Sequence, residues 1–157
     1  MDDIDLRLLA ELQQDASQSN QALAAKVFAS PATTLRRVRA LTEAGVIERT
    51  VAVLSPAQLG ALLTAIIEIT LDVQNAESFA AFARQMAQEP AIQQVWQTAP
   101  TADFTLVLTV RDMVEYQALV QRLFTAANNV RNVRARFATA RHKFTTALPL
   151  PLPPERR

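Results

Sequence analysis

The sequence predicts an α+β protein in which a winged-helix-like helix-turn-helix unit of three helices precedes a ferredoxin-like βαββαβ domain. Two observations predict this. Residues 1–48 contain three short amphipathic helical patterns, the last two each preceded by a serine that can cap the helix. After residue 61 the patterns follow the order strand, helix, strand, strand, helix, strand, which is the split βαβ plan. The chain has 157 residues, 50% of them hydrophobic, so two small cores can be filled.

The first two helices have apolar residues at helical spacing. Residues 3–14 place four apolar side chains on one face: Ile4, Leu8, Leu9 and Leu12. The polar segment 15–18 ends this helix, and Ser19 is predicted to cap a second helix in which Leu23 and Val27 lie one turn apart. The next helical pattern follows at once, which predicts the tight turn of a helix-turn-helix motif.

The segment from Ser30 to Gly45 is predicted to be the third helix. Ser30 can accept a hydrogen bond from a free backbone N–H, and Pro31 suits the first helical position. Gly45 follows where a helix ends in the left-handed conformation. One apolar stripe is expected to face the core: Leu35, Val38 and Leu41. The opposite side is expected to carry Thr33, Arg36 and Ala40, with Arg37 and Arg39 on its flanks.

This third helix has the side chains that a helix in the major groove of DNA needs. Arg36 and Thr33 are predicted to contact base edges, because a guanidinium can bind two acceptors of guanine. The flanking arginines are predicted to contact phosphates, although Arg37 could instead pair with an acidic residue of the first helix. The predicted DNA contacts are Ser30, Thr33, Thr34, Arg36, Arg37 and Arg39. The alternative is an ordinary amphipathic helix whose arginines are only solvated.

The rest of the chain divides into a linker, a sheet domain and a tail. The predicted domains are the helix-turn-helix unit at 1–48, an extended linker at 49–60, the ferredoxin-like domain at 61–148 and a proline-rich tail at 149–157. Alternating apolar residues predict the strands, and helical spacing predicts the helices. Within the sheet domain the expected elements are a strand to Leu71, a helix at 75–88, strands at 92–98 and 103–110, a helix capped by Asp112 and a strand at 130–143.

Composition excludes several classes of function. The net charge of +1 predicts no nucleic-acid partner by itself, but residues 1–29 are acidic and the last part of the chain is basic, so a local basic patch is available. Cysteine is absent and His142 is the single histidine, which argues against disulfides, thiolate chemistry and a metal site. No signal peptide is apparent, and the apolar run at 61–71 is too short to span a bilayer. The expectation is a cytoplasmic protein without a membrane partner.

Three side chains of the sheet domain have more than one interpretation. Arg134 and Arg136 are expected on one sheet face, where they could pair with Glu68 or Asp72 or form a second surface for DNA. Pairing or an interface is the favoured interpretation. Trp96, at a strand position, is expected in the core or a dimer interface rather than in a ligand site.

The order of these motifs resembles the Lrp/AsnC family of transcription regulators over essentially the whole chain. The residues that carry the resemblance are Asp2-Asp3-Ile4-Asp5 with Leu8-Leu9, Ser19-Asn20, Ser30-Pro31 with Leu35, Arg37-Val38 and Leu41, Gly45-Val46-Ile47, Leu59-Gly60, and Leu148-Pro149-Leu150. The resemblance implies a regulator that binds double-stranded DNA in the nucleoid and dimerises through its sheet domain. It also implies assembly to octamers and DNA binding that responds to an amino acid or a related small molecule, with no other cofactor.

Four positions depart from the family pattern. Phe28-Ala29 stands where the family has glycine and leucine, so we expect either an adjusted turn or a ring that fills the helix interface. Ala22 stands where a glutamate completes a capping box. Pro100 replaces a glycine of the effector loop and removes an N–H. Asp103 is kept, for ligand binding or for capping the turn. The effector residues implied by the resemblance are Thr98, Ala99, Pro100, Thr101 and Asp103.

Two other functions fit the same plan. Siroheme decarboxylases resemble it too, but they carry a segment with histidine and arginine in the middle of the sheet domain. The corresponding stretch here, 94–106, contains no histidine, arginine or tyrosine, so no enzymatic activity is expected. An architectural DNA-binding protein that bends or wraps DNA differs from a specific regulator only in its specificity ratio.

Overall fold

The computed structural model describes residues 1–60 and 62–151, and the chain forms two compact units. Met1–Val53 group with residues 143–151, and residues 54–60 and 62–142 form the second unit. The first unit is helical and the second contains a four-stranded sheet with two helices, so the predicted α+β class is confirmed. Within the described part of the chain, no helix is long and apolar enough to cross a membrane.

The helical unit contains the three predicted helices, α1 (Asp3–Gln14), α2 (Asn20–Lys26) and α3 (Pro31–Glu43). Ser19 and Ser30 cap α2 and α3 as predicted, since each hydroxyl accepts a hydrogen bond from the backbone N–H three residues later. The start of α1 has a capping box that the sequence analysis missed. Asp2 accepts bonds from the N–H groups of Ile4 and Asp5, and the Asp5 carboxylate accepts the Asp2 N–H at 2.9 Å.

The core of the helical unit corrects the predicted rotation of α3. Leu8, Leu23 and Val27 are its buried centre. From α3, the inward-facing residues are Thr34, Val38 and Leu41, whereas Leu35 is 41% exposed. The predicted set, which begins at Leu35, and the observed set, which begins at Thr34, both have helical spacing, so the period alone could not distinguish them. Hydrophobicity favoured Leu35, which is the wrong residue of the two.

The turn between α2 and α3 keeps its tight geometry despite the phenylalanine. Phe28 has φ +56°, the left-handed conformation, and its ring is 88% exposed. Neither expectation for this residue is correct: the turn is not adjusted, and the ring does not fill the helix interface. The buried Val27 and half-buried Ala29 on either side occupy the interface instead, which leaves Phe28 pointing outward.

The linker differs in part from the extended segment predicted for 49–60. Residues 46–54 belong to no helix or strand, but Pro56–Gln58 form a turn of 3₁₀-helix. Proline at the first position favours this turn because its φ is already near the helical value. Ala61, the predicted start of the sheet domain, lies outside the described residues.

The second unit has the predicted order of elements. They are β1 (Leu63–Leu71), α4 (Ala76–Ala87), β2 (Ile92–Gln97), β3 (Phe104–Val110), α5 (Met113–Leu123) and β4 (Val130–Phe137). The strands lie in the order β2-β3-β1-β4 and every neighbouring pair is antiparallel, which is the ferredoxin-like arrangement. Asp112 caps α5 as predicted, by accepting the N–H of Glu115.

One face of this sheet forms the main core. Its alternate residues from the two central strands are fully buried: Ala65, Ile67, Ile69 and Leu71 from β1, and Phe104, Leu106, Leu108 and Val110 from β3. Phe82 and Met86 of α4 and the buried residues of α5 pack against them. The other face is therefore left uncovered by either helix.

The last strand is shorter than predicted. Strand pairing was expected to Lys143, but β4 ends at Phe137, and the Ala138 N–H makes a final bond to the Thr64 carbonyl at 2.9 Å. Its partner β1 begins at Leu63, so residues further along have no strand to pair with. Leu148 instead joins α1, where its N–H and C=O bond to the Gln13 amide at 2.6 and 3.1 Å. Of the predicted tail, residues 152–157 lie outside the described residues.

Candidate nucleic-acid interface and effector loop

The outward face of α3 is a continuous surface of mixed character. Six residues at helical spacing line a shallow concavity on it: Ala32, Leu35, Arg36, Arg39, Ala40 and Glu43. Arg36 and Arg39 are exposed, and neither forms an ion pair or hydrogen bond with any residue that the structure describes. Their guanidinium groups are thus available to an anionic partner, and the small alanines allow close approach to it.

Arg37 has a different role from its two neighbours. Its Nη1 lies 2.8 Å from Asp2 Oδ2 and 2.8 Å from Asp5 Oδ1 at the start of α1. The hydrogen bond to Asp5 and then that to Asp2 raise the pKa of Arg37 above its ordinary value. The pKa of Asp2 is lowered, first by the bond from the Asp5 N–H and also by Arg37. Of the two roles left open by the sequence, pairing with the first helix is the one observed.

The start of α3 is hydrogen-bonded to α2, and one hydroxyl proton there, that of Thr33, is not donated to any residue that the structure describes. Asn20 Nδ2 donates to the Pro31 carbonyl at 2.8 Å, which joins the first turns of the two helices. Ser30 Oγ accepts the Thr33 N–H at 3.2 Å and donates to Thr33 Oγ1 at 2.9 Å. Since a hydroxyl has a single proton, Ser30 has none left to donate, whereas Thr33 can donate its own outward.

Thr34 is removed from the predicted set of DNA contacts. Its side chain is fully buried, with 0% exposure, and Oγ1 has no hydrogen-bond partner among the described residues. The same rotation of α3 that buries Thr34 brings Leu35 to the surface beside Arg36 and Arg39. Leu35 is therefore a surface residue that was not predicted, and the available signal for it was the equal helical spacing of the set that begins at Thr34.

The loop between β2 and β3 is closed by its own hydrogen bonds. Thr98 Oγ1 donates to the Ala102 carbonyl at 3.0 Å, and the Thr98 N–H donates to the Asp103 carbonyl at 2.9 Å. Pro100, at its tip, has no N–H. The N–H groups of Thr101 and Ala102 donate to no residue in the described ranges.

Asp103 caps the end of β1 with one of its two carboxylate oxygens. Its Oδ2 accepts the Leu71 N–H at 2.7 Å and the Gln74 amide at 2.9 Å, and its own N–H bonds to the Ile69 carbonyl at 2.9 Å. Oδ1 bonds to none of the described residues. The capping role is therefore observed, and one acceptor remains for a ligand.

The uncovered face of the sheet carries an apolar centre with charged residues at one edge. Ile66 lies in the middle strand β1 and is 39% exposed, and the indole of Trp96 on the edge strand β2 is 59% exposed. Trp96 is thus not in the core. On β4, Arg136 and Arg134 lie 2.7 and 3.6 Å from Glu68, the pairing that the sequence favoured.

Family comparisons agree with this arrangement in both units. Residues 1–48 match the model of a winged helix-turn-helix DNA-binding domain, and residues 64–148 match that of the Lrp/AsnC ligand binding domain. The chain belongs to the Lrp/AsnC family. It is a DNA-binding transcription regulator of the helix-turn-helix type.

Individual members of the Lrp/AsnC family resemble the chain along most of its length. The leucine-responsive regulatory protein of Rhizobium meliloti is 37% identical over 85% of this chain and 86% of its own. The crystal structure of an AsnC family regulator from Agrobacterium tumefaciens superposes with a TM-score of 0.87 at 30% identity, covering 95% of this chain and 97% of that one. A regulator from Neisseria meningitidis, solved as a complex with L-Met, gives 0.86 at 26% identity and covers 95% and 96%.

The comparisons also bear on the enzymatic alternative. The two solved relatives are named as transcriptional regulators and the Rhizobium meliloti relative as a regulatory protein, and none of the three is named as an enzyme. Among residues 1–60 and 62–151, no group of three or more histidine, cysteine, aspartate or glutamate side chains could hold a metal ion.

Proposed function

We propose that this Lrp/AsnC regulator binds a pseudo-palindromic DNA site as a homodimer, with one α3 helix of each protomer in the major groove. The observation that carries the proposal is that three arginines of α3 have different surroundings. Arg37 is engaged by two aspartates of α1, whereas Arg36 and Arg39 are exposed and unpaired among the described residues on the outward face. Arg37 fixes α3 in place, and the two unpaired arginines are free to contact DNA. This arrangement suits a recognition helix.

Each polar residue of this surface has a distinct proposed role. Arg36, in the middle of the outward face, binds the O6 and N7 acceptors of a guanine. Arg39, one turn further along, binds a phosphate and sets the register of the helix. Thr33 donates its free hydroxyl proton near the helix start, where the Ala32 N–H also favours a phosphate. Arg37 is a positioning residue that holds α3 against α1.

Dimerisation is proposed to use the uncovered face of the sheet. Ile66 and Trp96 expose apolar area there that α4 and α5 do not cover. A two-fold axis through this face would give two α3 helices for two half-sites, about one turn of DNA apart. Assembly of such dimers to octamers, and location in the cytoplasm on the nucleoid, follow from the family resemblance.

Selection of DNA from a random pool of duplexes tests the main proposal. We expect the wild-type protein to enrich one inverted-repeat motif with half-sites separated by about ten base pairs. Footprinting of an enriched duplex is expected to give two protected major grooves on the same side of the helix. An architectural protein would instead enrich no motif and protect DNA uniformly, which would contradict the proposal.

The effector is proposed to be an amino acid bound at the loop between β2 and β3. The unbonded N–H groups of Thr101 and Ala102 can donate to a carboxylate, and Oδ1 of Asp103 can accept from an ammonium group. These donors and this acceptor belong to three consecutive residues. An amino acid, which carries its carboxylate and its ammonium group on one carbon, fits such a spacing. The relative from Neisseria meningitidis that was solved with L-Met supports this ligand class.

Thermal melting with a panel of the twenty amino acids tests the effector. An amino acid that binds only the folded protein is expected to stabilise it by about 3 kcal/mol at a concentration one hundred times its Kd, a shift of several degrees in Tm. Asp103→Asn keeps an oxygen for the Leu71 N–H but loses the charge, so the shift is expected to disappear. Absence of a shift with every amino acid would contradict an amino-acid effector.

A further inference from the structure

Phe28 has a backbone conformation that its side chain does not favour. Only two residues other than glycine have a positive φ in the described part of the chain, Phe28 at +56° and Asn129 at +62°. Asparagine tolerates the left-handed region, and the Asn129 side chain bonds to the N–H and C=O of Val73 at 2.8 and 2.9 Å. Phe28 has no comparable compensation within the fold, because its ring is 88% exposed.

The turn that holds Phe28 is well fixed by its neighbours. The Phe28 N–H donates to the Ala25 carbonyl at 3.3 Å and the Ala29 N–H donates to the Ala24 carbonyl at 3.0 Å. Val27 is buried and Ala29 is half-buried, so the ring between them projects into solvent from a rigid turn. A strained backbone and an exposed aromatic ring both destabilise the free protein, which is a reason to look for a partner.

The position of this turn beside the start of α3 favours DNA as the partner. Phe28 precedes Ser30, the N-cap of α3, by two residues, so the two Cα atoms are at most about 7 Å apart. The hydrogen bond from Asn20 to the Pro31 carbonyl joins α2 to the start of α3. It therefore keeps the turn that carries Phe28 beside the start of α3. The major groove is about 12 Å wide, so the ring of Phe28 is within reach of bases at the edge of the site when α3 occupies the groove.

We propose that the ring of Phe28 packs against a thymine methyl group in the major groove and makes the protein specific for thymine at that position. The methyl group is the only apolar feature that distinguishes a base pair in this groove, and phenylalanine is suited to contact it. This inference rests on the proposed function, in which α3 binds the same groove. Phe28 and the exposed Leu35 then each supply an apolar contact in addition to the base contact of Arg36.

The decisive variant is Phe28→Gly in the full-length protein. Glycine adopts φ +56° without strain, so we expect Tm to rise by a few degrees. The same change is expected to weaken binding to the duplex selected by the wild-type protein by about tenfold, because the buried ring is lost. Phe28→Asn, which also tolerates this φ, is expected to weaken binding equally. Val114→Ala removes an exposed apolar side chain of α5 and is the control expected to bind DNA like wild type.

Uracil substitution of the selected duplex identifies the contacted base. Replacing each thymine by uracil removes only its methyl group, and one position in each half-site is expected to cost the wild-type protein about fourfold in affinity. The Phe28→Gly variant is expected to be insensitive at that position. Unchanged DNA affinity of Phe28→Gly, or unchanged sensitivity to uracil, overturns the inference. If Arg36→Ala also binds like wild type, the proposed function fails as well, whereas a loss in Arg36→Ala alone refutes only the role of Phe28.

Discussion

Replacing Arg36 by alanine is expected to lower the affinity for the selected duplex by at least about tenfold for each half-site. Arg36 is exposed in the middle of the outward face of α3 and has no partner among the described residues, so its removal leaves the fold unchanged. Base preference is expected to relax at one position of each half-site, where a guanine is no longer distinguished. Titrations with duplexes that carry each base at each position measure both effects.

Variants of the two neighbouring arginines are the matched controls for Arg36→Ala. Arg39→Ala is expected to weaken binding to all duplexes uniformly and to reduce the salt dependence by the equivalent of about one phosphate contact. Arg37→Ala removes the ion pairs to Asp2 and Asp5, so it is expected to lower Tm together with DNA affinity. Equal effects of all three variants on affinity, with base preference unchanged, would contradict the role of Arg36 in reading a base.

Elements that depend on local sequence were predicted well. The starts of α2, α3 and α5 were predicted because a serine or aspartate caps each of them through a bond that spans only three residues. The strand that ends at Leu71 was predicted because alternation along a strand does not depend on the partner strand. The order of elements then determined the topology, since few sheet arrangements accept that order.

Features set by distant contacts could not be predicted. Arg37 meets Asp5 across 32 positions of sequence, and the choice between pairing and a free side chain is made by the packing of α1 on α3. The same packing decides that Thr34, rather than Leu35, faces inward. The end of β4 is set by where β1 begins, which no pattern within β4 records.

The candidate effector loop was predicted only as a segment. Its span from Thr98 to Asp103 followed from the family resemblance. One carboxylate oxygen of Asp103 is bonded and the other is not, because only Oδ2 accepts from Leu71 and Gln74 at the end of β1. Its chemistry as an acceptor for an ammonium group therefore required the structure.

Replacing Ile66 by aspartate is expected to weaken dimerisation by at least about a thousandfold. Ile66 lies in β1 on the face that neither α4 nor α5 covers. In the proposed dimer, a carboxylate there is desolvated on association and lies near its copy from the other protomer. The monomer is expected to remain folded, because the side chain is 39% exposed before association and can stay hydrated. Sedimentation equilibrium measures the dimer constant and thermal melting tests the fold.

Val114→Asp distinguishes loss of the interface from a general effect of added charge. Val114 is 75% exposed on α5, the helix that packs on the opposite face of the sheet, so this variant is expected to dimerise like wild type. Because a monomer presents a single α3 helix, Ile66→Asp is also expected to bind an isolated half-site as well as wild type does while losing its preference for the inverted repeat. Arg36→Ala is expected to show the converse: it dimerises like wild type but binds an isolated half-site more weakly. An Ile66→Asp protein that still dimerises would move the interface to another surface and leave the DNA-binding role of α3 intact.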